Sequence, residues 1–140
     1  MELKLIRHLW GVYDPWEKVF PQFKELGYSG VEIALFEPER GPALRKQLSE
    51  VGLDLVIMAF TGGSNADEHL RSLEEQVEQH LRLAPLFINA HSGSDGWNQD
   101  QAKRFYEGAL KIESRAGVPI AHETHRGRVF FNPWVTRDII

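Results

Sequence analysis

The sequence predicts an α/β chain built on a parallel sheet. Three observations carry this. Apolar runs alternate with amphipathic segments along the chain in the order βαβαβαβαβ. Helix-stopping residues at Gly27, Gly52, Pro85 and Gly117 recur roughly every 25–33 residues, the length of one strand–helix–strand repeat. The run Leu53 to Phe60 is almost wholly apolar, as strands covered on both faces are. Such alternation gives parallel strands joined by right-handed crossovers. Two architectures satisfy it: a doubly wound sheet, or part of a (β/α)8 barrel.

Each element has its own signal. Leu3 to Ile6 is a short apolar strand-like run. Asp14-Pro15-Trp16-Glu17 starts a helix, with Asp14 as cap, Pro15 at the first position and Glu17 three after the cap. Trp16, Val19, Phe20, Phe23 and Leu26 follow at helical spacing to Gly27, and Pro21 inside the helix is a kink site. Val31 to Phe36 is the second strand, and Pro42 to Val51 the second helix, stopped by Gly52. Leu53 to Phe60 is the third strand. Ser64 or Asn65 caps a third helix running to about Leu83, with Asp67 and Glu68 in its first turn. Leu86 to His91 is the fourth strand. Asn98 and Gln101 form a capping-box pair for a helix to Ala116. Val118 to Glu123 is the fifth strand, and the tail enters a helix near Val135.

Composition narrows the function classes. The 140 residues form a single domain, 1–140, with 42% hydrophobic and 26% charged residues, so wholesale disorder is excluded. A net charge of -4 argues against nucleic acid as a partner. The absence of cysteine excludes disulfides, thiolate metal sites and a cysteine nucleophile. No apolar run reaches the roughly 18 residues of a membrane span. Met1-Glu2-Leu3-Lys4-Leu5 does not read as a signal peptide, and a cytoplasmic location is expected.

In either architecture, ligands bind at the carboxyl ends of the strands. There the sequence places His8 and Trp10, then Glu32, then Phe60-Thr61, then His91 with Asp95 and Trp97, then Glu123 with His125, Arg126 and Arg128. If the fifth strand persists, Glu123 and His125 share a face, where they could bind a divalent cation or move protons. The plain alternative is a buried Glu123 paired with Arg126 or Arg128. His91 reads as a ligand or substrate partner, or as a histidine that orients its loop. His8 reads the same way on weaker grounds. Glu32, inside an apolar strand, needs a partner such as Arg7 or a polar ligand. Trp10, Phe36, Trp97 and Trp134 could stack on a sugar ring or serve packing. Gly62-Gly63-Ser64 is a weak phosphate-cradle signal. His69 and His80, three helical turns apart, read as solvated surface.

Three segments give the chain a family likeness. Gly27-Tyr28-Ser29-Gly30-Val31-Glu32-Ile33, Asn89 to Asp95, and above all Gly117 to Arg128 resemble the N-terminal part of the xylose isomerase-like barrels, the sugar phosphate isomerase/epimerase superfamily. The resemblance implies a TIM barrel binding a divalent metal (Mn, Mg, Co or Zn) and proton abstraction beside a sugar carbonyl. It makes Glu123 the match to the first metal-binding, catalytic glutamate. His91 and Glu32 match positions that line the pocket. A distant endonuclease branch shares the fold and uses several His ligands on zinc. The family's other ligands, an Asp, a His and a second Glu, come from strands six to eight.

The resulting expectations are these. The chain is a half-barrel of about five strands, a partial TIM barrel completed by homodimerisation through its open sheet edges. Family catalysis is lost or incomplete. The alternatives are an active metal-dependent sugar (phosphate) isomerase or epimerase, and a non-enzymatic interaction module. Glu123 and His91 are the candidate catalytic and metal-binding residues. His8, Trp10, Glu32, Trp97, His125 and Arg126 are candidate substrate contacts.

Overall fold

The computed structural model describes residues 3–140. Met1 and Glu2, at the head of the expected leaderless N-terminus, lie outside the described residues. Five parallel strands form one sheet in chain order: β1 (Ile6–His8), β2 (Gly30–Ile33), β3 (Asp54–Phe60), β4 (Phe87–His91) and β5 (Ile120–His122). Between them run α1 (Trp16–Glu25), α2 (Gly41–Val51), α3 (Ala66–Leu81) and α4 (Gln99–Ala116), and α5 (Pro133–Ile139) closes the chain. A doubly wound sheet reverses its strand order at a switch point, whereas a barrel wall never does. The unbroken order therefore decides for the barrel architecture, and the five strands make a half-barrel.

Register sorts the side chains. Arg7 pairs with Val31 and His8 with Glu32, Glu32 pairs with Val56, and Ile88 pairs with Ile120. Alternation then gives each strand one face toward the helices and one toward the barrel interior. Val31, Leu55, Ile57, Ala59, Ile88, Ala90 and Ile120 form one buried cluster with Phe20, Leu44, Leu48, Leu73, Val77 and Phe105 of the helices. Burial of each such side chain stabilises the fold by about 1.5–3 kcal/mol. The opposite face presents His8, Glu32, Val56, Met58, Phe60, Asn89 and His91.

Several boundaries differ from expectation for identifiable reasons. β1 forms at Ile6–His8 rather than Leu3–Ile6, because strand limits follow pairing and its partner starts at Gly30. Leu3 and Leu5 are left exposed. β2 stops at Ile33 and β5 spans only Ile120–His122, both shorter than their apolar runs. Pro15 takes the cap position of α1, and Asp14 pairs with Lys18 at 2.7 Å instead. The caps at Asn65 and Asn98 form as expected, the latter as a full capping box.

His69 and His80 are buried, not solvated. They lie on the inner stripe of α3 with Leu73 and Val77. Because β2 pairs only as far as Ile33–Ile57, the β3 backbone beyond Ile57 has no strand on its β2 side, while β4 pairs on the other. Side chains of α3 satisfy that edge. Gln76 exchanges two hydrogen bonds with the Phe60 backbone, at 2.9 and 3.0 Å, and His80 Nε2 donates to the Met58 carbonyl at 3.2 Å. A buried imidazole is tolerated where it replaces a missing strand bond. Among the described residues no helix is long and apolar enough to cross a membrane.

Candidate active site

Four strands deliver polar side chains to the carboxyl end of the interior face. The centre is Asn89 on β4. Its amide donates to Glu32 Oε1 at 2.8 Å and to Glu123 Oε2 at 2.9 Å. His91, two residues further along the same face, lies with Nε2 at 2.9 Å from Glu123 Oε2. A carboxylate only accepts, so Nε2 carries the hydrogen. Burial lowers the His91 pKa, against the opposing pull of Glu123, and the imidazole is neutral at neutral pH. At the other end, His8 Nε2 stands 4.0 Å from Glu32 Oε2 and 3.3 Å from Met58 Sδ. His8 Nδ1 accepts from the Trp10 backbone N–H at 2.8 Å, which fixes the ring.

Glu123 follows the last residue of β5, and its N–H still donates to the Ala90 carbonyl at 3.0 Å. The chain then turns: the His125 N–H bonds to the Glu123 carbonyl at 2.9 Å. The turn, not a continuing strand, brings His125 to the site, where its ring lies over His91 with centroids 4.5 Å apart.

A second set of bonds holds this end in place. Thr61 Oγ1 accepts from the Gly93 N–H at 2.8 Å and lies 2.8 Å from His69 Nδ1. His69 Nε2 donates to the Gly63 carbonyl at 3.2 Å. Burial lowers the His69 pKa, so the ring is neutral and Nδ1 is free to accept the Thr61 hydroxyl. The Arg128 guanidinium donates to the carbonyls of Thr61 and Gly93, at 2.9 and 3.2 Å. Arg128 thus ties the loop after β5 to the ends of β3 and β4 and does not pair with Glu123. On the helix-facing side His122 lies 2.6 Å from Ser92 Oγ, among Tyr106, Phe105 and Phe130.

The structure brings His8, Glu32, His91, Glu123 and His125 together. It places others apart. Arg7 lies on the opposite side of β1 from Glu32, against the Phe23 ring and the His8 carbonyl. Trp97 packs on His69 and Phe105. Arg126 is exposed, and its carbonyl faces His125 Nδ1. Trp10 is exposed at the mouth beside His8, in a cleft of about 470 Å³ also lined by Tyr13, Trp16, Phe36 and Arg40. Asn89, the hub, is not among the candidates that the sequence singles out. Its signal was its place two residues before His91 on an alternating strand.

Among the described residues no three His, Asp or Glu side chains form a group able to hold a metal ion. Glu123 and His91 bond to each other and do not make a coordination sphere by themselves.

No family model matches the sequence, and no curated protein does. Solved structures do. The chain is similar to a D-tagatose 3-epimerase-like protein, at 14% identity and TM-score 0.73, covering 99% of this chain and 60% of that one. It is similar to a 3-keto-D-glucoside 4-epimerase from E. coli, at 13% identity and TM-score 0.66, covering 91% and 58%. An AP endonuclease of family 2 from Brucella melitensis matches at 14% identity and TM-score 0.69, covering 98% and 65%. The fold is therefore that of the xylose isomerase-like TIM barrels. More particularly, the chain has the five-strand half-barrel part of that fold and spans 50–65% of the length of the structures it matches.

Proposed function

We propose that this chain carries the base-bearing wall of a sugar isomerase or epimerase site, with Glu123 removing a proton beside a carbonyl. The observation that supports this most is the convergence of Asn89 and His91 on one oxygen of Glu123. Two donors on Oε2 fix the carboxylate and leave Oε1 to act, as a general base requires. His8, Glu32 and His125 surround the same space and supply hydrogen-bonding groups for a polyhydroxy ligand. Trp10 is assigned to the sugar's apolar face, and Arg126 to an anionic substituent such as phosphate. A divalent cation would find Glu123 and His91 as two donors in this chain and would need others from elsewhere. The reading carries a cytoplasmic location with it.

The test is proton exchange. The purified chain is incubated in D2O with a panel of ketoses and aldoses, free and phosphorylated, and followed by NMR. Deuterium appears at a carbon next to the carbonyl, and E123Q abolishes it. Lack of exchange on every sugar overturns the reading.

A second reading concerns assembly. β1 and β5 each pair on one side only, and the interior face is covered by no second wall among the described residues. Unpaired strand edges favour pairing with another chain. We propose that a second copy, related by a two-fold axis, closes the barrel and completes a site that one copy leaves unfinished. A solution mass of twice 16.1 kDa is expected at micromolar concentration. A monodisperse single copy would rule this out.

A further inference from the structure

Asn89 brings a second carboxylate into the site. Glu32 is the more enclosed of the two, with a side chain 19% exposed against 37% for Glu123. Both accept from the single NH2 group of Asn89, so the bonded oxygens lie roughly 5 Å apart. Each carboxylate has an imidazole beside it: His8 at 4.0 Å from Glu32 and His91 at 2.9 Å from Glu123. His8, Glu32, Asn89, Glu123 and His91 are thus linked across the interior face, from β1, β2, β4 and the residue after β5.

The two carboxylates share one face of the sheet. Asn89 fills the space between them, so the pair cannot flank opposite faces of one substrate carbon. What same-side carboxylates can do is serve neighbouring atoms of one substrate. One handles a carbon-bound proton while the other handles the protons of the adjoining oxygens.

We propose that Glu32 is the second acid–base group of this site, moving hydroxyl protons while Glu123 moves the carbon-bound proton, in the interconversion of an α-hydroxy aldehyde sugar and its ketose. The inference rests on the reading of Glu123 as base. From the ketose, Glu123 takes a proton from carbon 1, and the C–H electron pair becomes the C=C bond of an enediol. The Glu32 carboxylate takes the proton of the carbon 1 hydroxyl and gives it to the oxygen on carbon 2. The oxygen on carbon 1 then becomes the aldehyde carbonyl. Glu123 returns its proton to carbon 2 on the same face. Both carboxyl groups end as they began, and no oxidant or co-reactant is needed.

The test compares the native chain with E32Q, E32D and E123Q, using D-fructose and D-fructose 6-phosphate in D2O. Deuterium incorporation and aldose formation are read by NMR. In E32Q the new amide oxygen still accepts the Asn89 hydrogen bond, so the bridge persists while proton transfer is lost. E32Q is expected to keep the native unfolding midpoint within a few degrees and to form aldose at least about 100-fold more slowly. E32D recovers part of that rate, and this variant also serves if E32Q does not fold. Aldose formation by E32Q within threefold of native, with E123Q inactive, overturns the role of Glu32 and leaves Glu123 standing. Formation of an epimeric ketose in place of aldose overturns the same-face assignment. No deuterium incorporation by the native chain overturns the reading of Glu123 and this inference together.

Discussion

His91 Nε2 lies 2.9 Å from Glu123 Oε2, a bond between adjacent strands that joins residues 32 positions apart. It forms because β4 and β5 are parallel and paired in the register Ala90–His122. That pairing advances both chains together, so the next residue of each strand turns to the interior at the same level. A neutral, buried imidazole donating to the carboxylate holds one oxygen of Glu123 and leaves the other available.

Replacing Asn89 with Leu removes the amide that separates Glu32 from Glu123. Two partly enclosed carboxylates then lose a donor and face each other. The expected cost is about 2 kcal/mol. Urea titration at neutral pH reads it as a lower midpoint with an unchanged slope. A midpoint equal to native would show that the bridge carries no stability.

Acid should unfold this chain early. Burial pushes the His122 pKa down to about 4, although Glu113 pulls it upward. The unfolded chain binds that proton near pH 6.5, and the folded chain binds it only near pH 4. Stability is thus full above pH 6.5 and falls as pH drops through that window, by about 3 kcal/mol for this residue. Burial lowers the pKa of His69, His80 and His91 as well, which adds in the same direction. Thermal midpoints measured from pH 7 to pH 4 should fall steadily, and H122F should flatten part of the slope.

Thr61→Val keeps the shape of the side chain and removes the hydroxyl that Gly93 and His69 share. Two buried groups lose a partner, at a cost of about 1–3 kcal/mol. Hydrogen exchange at the Gly93 amide should accelerate ahead of the β3 and β4 core. Protection equal to native would mean that Arg128 alone holds the loop.

Gly93 and Gly117 share φ +66°, yet their surroundings differ. A Cβ at Gly93 would stand 2.6 Å from both the Trp97 ring and the Val129 side chain. At Gly117 nothing lies within 4 Å. G117A should therefore cost only the left-handed backbone term, about 1 kcal/mol, and G93A clearly more. Paired denaturation curves settle the order; equal costs would mean that the β4–α4 loop yields freely.

Much of the site was legible. His91 and Glu123 could be found because strand ends in a parallel α/β chain collect ligands, and both sit just past apolar runs. Glu32 stood out as a charge among apolar residues. Its partner could not be read: Arg7 is the cation on the neighbouring strand, but the register of β1 puts it on the opposite face. His69 and His80 read as surface because α3 is polar overall, and a histidine on a helix gives no sign of whether a strand edge awaits it. Arg128 was a candidate partner for Glu123, and the turn after β5 carried it instead to the carbonyls of Thr61 and Gly93.

The sequence by itself determined the parallel α/β class, the number of strands, the position of each helix and the end of the sheet where polar groups gather. These follow from local periodicity, capping and breaking residues, which act within one turn or one strand. Local pattern left two strand orders open; the family likeness implied the barrel and the tertiary structure bears it out, while tertiary structure alone decided the bridging place of Asn89 and the pairing of His91 with Glu123. Each of those depends on register between segments distant in the chain. One residue of slip would turn every side chain of a strand to the other face, and only the packed sheet fixes that choice.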